Sequence, residues 1–475
     1  MAVGLCDPVI YSSDADASLP SCSVPETAAV TRHILLSKTD RSRHFSYTAN
    51  AGHLTARASN GDAQASIFYV AYTVDQSTRP DRPVTFFFNG GPGESSIWLH
   101  LGSWGPYRVQ TGMPDSAVTT FSLTEAEDTL LTESDLVFID APATGYSEAI
   151  APNTNQTFMN ESTDAMVFRD FILRYLSANQ RMTSPVYLYG ESYGGYRACL
   201  VAQLLVAGDK PLNGLILQSP ALSFMPATES YSVDSLPTVA AIATYFGRSD
   251  KPDTMGLDSY LRSVQQFAVG PFARLARQYE EARRKKAIPP VMPPEMLKRL
   301  EGISGLNRAL LIEHFPYFGG ILALDFIPGK ILDSYDARIV MPRSGDLPLA
   351  YQCIRATQPA YFSNFLQYHG STPYVFHHDI PFSSSSPIVD PVAGRGRKEA
   401  VSNLSKAISL RPGLKVLAIT GMYDLIVPFT SVENALADLG KREMIQILRV
   451  EGGHMSYLAD KARPVMRRRL RSFYR

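Results

Sequence analysis

Gly190-Glu191-Ser192-Tyr193-Gly194 sets a serine between two glycines, directly after the β-rich run Pro185–Tyr189 and before helix-compatible text, Tyr196–Val206. In that strand–turn–helix setting the backbone crosses itself too tightly for side chains at the flanking positions, and the serine hydroxyl is left exposed as a nucleophile. A hydroxyl attacks poorly until a base takes its proton and a carboxylate fixes the tautomer of that base. Two later loops supply both. The apolar run Val416–Thr420 ends in Gly421-Met422-Tyr423-Asp424, and Ile445–Val450 leads into Glu451-Gly452-Gly453-His454. Each puts its residue just past the carboxyl end of a strand, where chemistry gathers in parallel sheets. Ser192, Asp424 and His454, in that chain order, suit acyl transfer through a covalent acyl-enzyme.

The remaining histidines follow no late strand in this way. His377-His378-Asp379 has metal-binding residue types, but neighbouring side chains on an extended segment point to opposite faces, so no metal is expected there. A third element is Asn89-Gly90-Gly91-Pro92-Gly93, directly after the run Val84–Phe88. Glycines at that place let backbone N–H groups face a developing oxyanion, in partnership with the N–H that follows the nucleophile. Alone, the same five residues read as a plain turn.

The elements that must position these residues are legible as texture. Short apolar runs (Val84–Phe88, Leu136–Ile139, Val186–Tyr189, Leu215–Leu217, Val416–Thr420) alternate with helical text such as Asp164–Leu176. That alternation predicts an α/β fold with a parallel sheet covered on both faces. Ahead of it, His33–Asp75 reads as antiparallel strands folded at Asn50-Ala51-Gly52 and at Asn60-Gly61-Asp62. Between the fourth and fifth runs the text changes. It holds charge-laced helix (Phe272–Lys286, with Glu280 and Glu281 ahead of Arg284 and Lys285), the prolines 289, 290, 293 and 294, and the serine run 383–386. Residues 226–397 are read as an inserted cap, residues 31–225 and 398–475 as the core, and residues 1–30 as a flexible N-terminal segment. A basic helix, Pro464–Arg475, closes the chain, with Arg467-Arg468-Arg469 complementing its dipole.

Composition narrows the function classes. The 475 residues are 45% apolar and 19% charged, and 45 Lys and Arg cancel 45 Asp and Glu. No net field would draw in nucleic acid or an anionic membrane, and no run reaches the ~18 apolar residues of a membrane span. Four scattered cysteines form neither a disulfide scaffold nor a metal knuckle. Asp7, Asp14 and Asp16 stand where a secretion signal would carry a basic start and an apolar run, so a cytoplasmic protein is expected, or a secreted or periplasmic one if a signal was removed.

Taken in series, the motifs resemble those of the serine carboxypeptidases and their acyltransferase relatives, in a bacterial-style, cysteine-poor form. Carrying the resemblance are Phe88–Gly93 with Ser95-Ser96, Gly105-Pro106, Asp135–Pro142 with Thr144–Ser147, Gly190–Gly195 and Gly452–Met455. It implies an α/β-hydrolase fold, a mostly parallel central sheet with a large inserted cap, and no cofactor. It further implies a triad of Ser192, Asp424 and His454, and an oxyanion hole made by the N–H groups of Gly91 and Tyr193. The substrate would be a peptide or small acyl compound, its free carboxylate held by Asn89, Gly90 and Glu191. Acyl transfer to water gives a carboxypeptidase; transfer to an alcohol or amine is the alternative. Three positions depart from the pattern: Ser103 stands where a second acid belongs, Phe87 replaces a tryptophan, and Glu94 replaces a disulfide-forming cysteine. Glu94 is the candidate substitute acid if its loop comes close to Glu191. Side-chain preference, acceptor and oligomeric state are left to the cap.

Overall fold

Runs without polar alternation have to be buried on both faces. Val84–Phe88, Asp135–Ile139, Val186–Glu191 and Gly214–Gln218 are strands buried throughout, and Lys415–Gly421 is buried after its first residue. These come from a computed structural model that describes residues 3–21, 24–36, 44–75, 81–114, 121–222, 229–343, 348–379, 399–440 and 443–475. The strands lie in a ten-stranded sheet. From one edge the order is Ile445–Val450, Lys415–Gly421, Gly214–Gln218, Val186–Glu191, Val84–Phe88 and Asp135–Ile139, all parallel. Antiparallel strands Ala63–Val74, His44–Arg57 and Ala28–Leu36 continue it to the other edge.

Successive side chains of a strand serve opposite faces. Phe86, Phe88 and Leu188 pack with the helices Glu161–Ala178, Tyr193–Ala207 and Glu399–Leu410, through Phe168, Val201 and Leu404 among others. Phe87, Tyr189 and Ile419 face the other way, toward the helices Ile97–Gly102 and Arg463–Phe473. This is the α/β-hydrolase arrangement that the motifs imply. Among the described residues no helix is long and apolar enough to cross a membrane.

Two expectations from the sequence need correction. Asn50-Ala51-Gly52 is not a turn: His44–Arg57 runs straight through it. Gly52 is there because a neighbouring strand end leaves no room, and a Cβ on it would lie 2.1 Å from the Thr27 carbonyl oxygen. Asn60-Gly61 does turn, with Gly61 at φ 90°. The second correction concerns residues 1–30, whose described part is packed rather than flexible. Leu5–Asp7 pairs in parallel with Tyr368–Gly370. The buried Asp7 carboxylate accepts hydrogen bonds from Tyr11 (3.0 Å) and Tyr368 (2.6 Å), and His53 Nε2 stands 3.2 Å away. Burial pushes His53 below its ordinary value, so it meets Asp7 as a neutral donor. A short polar segment thus acquires three partners that no local pattern announces.

The stretch read from sequence as an insertion forms two parts among the described residues. Helices between Glu229 and Asp325 build their own apolar cluster around Ile242, Tyr260, Leu300 and Phe315, joined by Met422 and Phe429 from the chain around Asp424. Leu349–Ala360 and the turn Tyr361–Leu366 instead join the core of the sheet through Ile354, Phe362 and Leu366. The serine run 383–386 and both ends of the cap read from sequence, 226 and 397, lie outside the described residues. On the helix Ala273–Arg284, Glu281 pairs with Lys285 at 2.6 Å, whereas Glu280 meets Arg283 rather than Arg284. The closing arginines fasten their helix to the core, Arg463 to Asp128 at 2.5 Å and Arg467 to Glu133 at 3.4 Å.

Asp7→Ala would leave two tyrosine hydroxyls and His53 short of an acceptor, and is expected to destabilise the fold by about 2–3 kcal/mol in urea denaturation. The Asp7 pKa is lowered to about 2, with its hydrogen bonds outweighing the burial that opposes them. The contribution of that carboxylate is therefore complete above the ordinary aspartate value and lost as pH falls toward 2. The stability gap between wild type and Asp7→Ala should shrink over that window.

Candidate active site

The strand Val186–Glu191 ends in Ser192, held at φ 59°, a left-handed conformation that a side-chain-bearing residue adopts only where the surroundings impose it. The flanking glycines show the constraint. A Cβ on Gly190 would lie 2.1 Å from the Gly194 carbonyl oxygen, and one on Gly194 would lie 2.5 Å from that of Phe88. Ser192 begins the helix Tyr193–Ala207, and its N–H donates to the Gln218 carbonyl at 3.0 Å.

His454 is buried, and its Nδ1 lies 2.7 Å from Asp424 Oδ2. The other oxygen of Asp424 accepts the backbone N–H groups of Ile426 (2.8 Å) and Val427 (2.9 Å), which orients the carboxylate. Burial alone would lower the His454 pKa. The charge of Asp424, its hydrogen bond and the nearby Glu191 outweigh that, and the net shift is upward. Gln218 brings this pair to the elbow: besides accepting from Ser192, its side chain donates to the His454 carbonyl at 3.1 Å, and Ser219 Oγ donates to the same oxygen at 2.8 Å.

The glycine loop lies against the same turn. A Cβ on Gly90 would stand 2.5 Å from the backbone nitrogens of both Tyr193 and Gly194. The next residue, Gly91, is at φ 99°, out of reach of most side-chain-bearing residues. Asn89 Nδ2 donates to Glu191 Oε1 at 2.7 Å, while Asn89 Oδ1 accepts the Leu99 N–H at 3.0 Å. Glu191 is buried, which raises its pKa to about 7, the His454 and Tyr457 interactions holding it back and the charges of Asp424 and Glu94 adding to it. Its second oxygen, Oε2, has no hydrogen-bond partner among the described residues; nor has the Tyr457 hydroxyl, which favours the carboxylate without reaching hydrogen-bond geometry.

The departures noted in the sequence find plain places. Ser103 Oγ donates to the Leu99 carbonyl at 2.5 Å, so its hydroxyl is committed to backbone. Glu94 adds repulsion at Glu191, but its own oxygens accept from Trp98 Nε1 (2.6 Å) and the Tyr351 hydroxyl (2.9 Å) and meet His377 Nδ1 at 3.0 Å. Phe87 is stacked between Phe138 and Tyr189, with ring centroids at 4.6 and 4.9 Å. Sequence reasoning missed Gln218, Tyr457 and Tyr335. Tyr335, from the insertion, accepts the His454 N–H on its carbonyl at 2.5 Å and sets its ring edge-on, 5.5 Å from the imidazole. Only Gln218 carried a local signal, as the polar end of an apolar run.

Compared with known proteins, residues 37–231 match the family model described as serine carboxypeptidase. Over that stretch the chain is similar to the serine carboxypeptidases. It is 26% identical over 204 residues to serine carboxypeptidase-like 20 of Arabidopsis thaliana, covering 42% of this chain and 37% of that protein. With the pheromone-processing carboxypeptidase KEX1 of Saccharomyces cerevisiae it is 30% identical over 173 residues, 34% of this chain and 23% of that one. The matched stretches thus span well under half the length of these curated relatives. The crystal structure of a prohormone-processing carboxypeptidase, KEX1(delta)p from the same yeast, superposes with a TM-score of 0.54 at 17% identity, over 90% of this chain and 91% of that one. That likeness shows the fold. The family match contains the elbow, the glycine loop, Asn89 and Glu191; Asp424 and His454 lie beyond it, and the tertiary structure brings their loops to the Ser192 elbow.

Asp424→Asn should remove the charge that holds the His454 pKa up, so the imidazole, followed by NMR, should titrate below its wild-type value, since burial is then opposed by Glu191 alone. Turnover should fall by roughly 10³–10⁴-fold with little change in melting temperature.

Proposed function

We propose that the protein is a serine carboxypeptidase-type hydrolase, cleaving the C-terminal residue from a peptide, or a related acyl bond, through an acyl-enzyme on Ser192. The observation that carries this reading is Glu191: a buried carboxyl group beside the nucleophile turn, tied by one oxygen to Asn89 and left with its other oxygen unpartnered. A protonated Glu191 offers a hydrogen bond to a substrate carboxylate, with the Asn89 side chain and the Gly90 N–H as its companions.

In this mechanism His454 Nε2 takes the proton from Ser192 Oγ as the oxygen attacks the substrate carbonyl. The N–H groups of Gly91 and Tyr193 receive the oxyanion. The protonated His454, its charge balanced by Asp424, then gives that proton to the leaving nitrogen. Water repeats the sequence: His454 takes its proton, hydroxide adds to the acyl carbon, and Ser192 leaves with the proton returned. Transfer to an alcohol or amine is the second reading. It is favoured by Ser103, whose committed hydroxyl leaves Glu191 without a second acid to share a proton.

Ser192→Ala should abolish labelling by a fluorophosphonate and cut turnover by several orders of magnitude. The two readings separate on a blocked dipeptide and its methyl ester. Glu191 is protonated below about 7 and ionised above it, so cleavage of the free-carboxylate substrate should decline above pH 7 while ester cleavage continues. Ser103→Glu should raise kcat/KM for the dipeptide and extend its activity toward higher pH, with scant effect on the ester. Equal responses of both substrates would favour the acyltransferase or esterase.

A further inference from the structure

Backbone N–H groups stabilise an oxyanion only if their loop is held in place before the charge develops. Beyond Gly91 the loop is gripped by a segment of the insertion. Ser95 N–H donates to the Phe376 carbonyl at 3.0 Å, and His378 N–H donates to that of Gly93 at 2.9 Å. Glu94 and His377 therefore face each other as an antiparallel bridge pair whose hydrogen bonds flank it rather than join it. In such a pair the side chains share one face and the Cα atoms stand about 4.5 Å apart. The side chains meet, His377 Nδ1 lying 3.0 Å from Glu94 Oε1. The same carboxylate accepts from Trp98 Nε1, on the helix that leaves the loop, and from the Tyr351 hydroxyl, on the helix Leu349–Ala360. Tyr351 in turn meets the hydroxyl of Tyr335, whose ring lies against His454.

We infer that Glu94 and His377 form a clasp that positions the Gly91 loop for oxyanion stabilisation by tying it to the insertion. This rests on the hydrolase reading of Ser192 and deepens it: the two are positioning residues, acting through the loop backbone. The clasp is electrostatic and therefore pH-dependent. The hydrogen bond to Glu94 raises the His377 pKa to about 9, against the opposing effect of burial and with help from Asp379, whose Oδ1 lies 3.0 Å from Nε2. The charge attraction is thus complete below the ordinary histidine value and is lost as pH rises through 9. The other groups facing the pair do not change charge between about pH 8 and 10, where that loss falls. Tyr351 is pushed above the range, Tyr335 is pushed to about 12, and Glu191, at about 7, is ionised before it begins. Arg355 stacks its guanidinium on the ring of the adjoining Phe376 at 5.2 Å.

The test measures fluorophosphonate labelling of Ser192 and kcat for p-nitrophenyl acetate from pH 6 to 10.5, in wild type, His377→Gln and the double variant Glu94→Cys/His377→Cys. Wild type should lose rate through pH 9. His377→Gln should be about tenfold slower at pH 8, in kcat rather than KM, and should lack that alkaline decline. The non-hydrogen-bonded pair geometry suits a disulfide, so the oxidised double variant should label faster than its dithiothreitol-reduced form and show no decline at pH 9. That oxidised-to-reduced comparison decides the matter if His377→Gln folds poorly. A His377→Gln protein with the wild-type rate and profile, or a double variant indifferent to reduction, would overturn the clasp. Wild type that fails to label at Ser192 would overturn the hydrolase reading itself.

Discussion

The hydrogen bond from Asn89 to Glu191 joins the carboxyl ends of two neighbouring parallel strands, Val84–Phe88 and Val186–Glu191, and the remaining geometry of the site hangs from that junction. Both residues are buried, where a polar pair must be well satisfied to persist. Asn89 uses every group it has: its side chain also fixes Leu99, and its carbonyl accepts from Arg197 at 2.6 Å. Arg197 is itself paired with Asp164 at 2.7 Å, on the helix covering one face of the sheet. The glycine loop, the elbow helix and the covering helix are thus locked to one point, and Gly90 can press against Tyr193 and Gly194 with no slack between them.

The insertion is part of this machinery. Its segment 333–339 is hydrogen-bonded to the Asp424 loop twice, Leu425 N–H to the Ser334 carbonyl and Ala337 N–H to that of Tyr423. It also supplies the Tyr335 carbonyl to the His454 N–H. A buried Asp336–Arg338 pair at 2.6 Å stiffens the segment. His454 and Asp424 therefore stand on loops braced from the same side by one stretch of the insertion. The glycine loop is braced through Glu94 by two other places in the insertion, His377 and Tyr351. A change in the insertion would reach the chemistry through these few contacts.

The amino-acid sequence by itself determined the parts whose reasons are local. Strand, elbow, glycine loop and the order of serine, aspartate and histidine follow from apolar runs ending in glycine or a polar residue, because a tight backbone crossing and a doubly covered strand each admit few residue types. The same local reasoning misjudged Asn50-Ala51-Gly52, since a glycine demanded by the close approach of Thr27 looks the same as a glycine demanded by a turn. It misjudged the N-terminal segment as well, because Asp7 is satisfied by residues 46 and 361 positions away. Only the tertiary structure decided that Ser103 turns to the Leu99 carbonyl, that Glu94 spends its oxygens on Trp98, Tyr351 and His377, and that Gln218 ties the His454 loop to the elbow. The physical reason is the same for all three. A polar side chain takes whichever partner burial brings within hydrogen-bond reach, and that partner is set by how the layers pack, not by the spacing of residues along the chain.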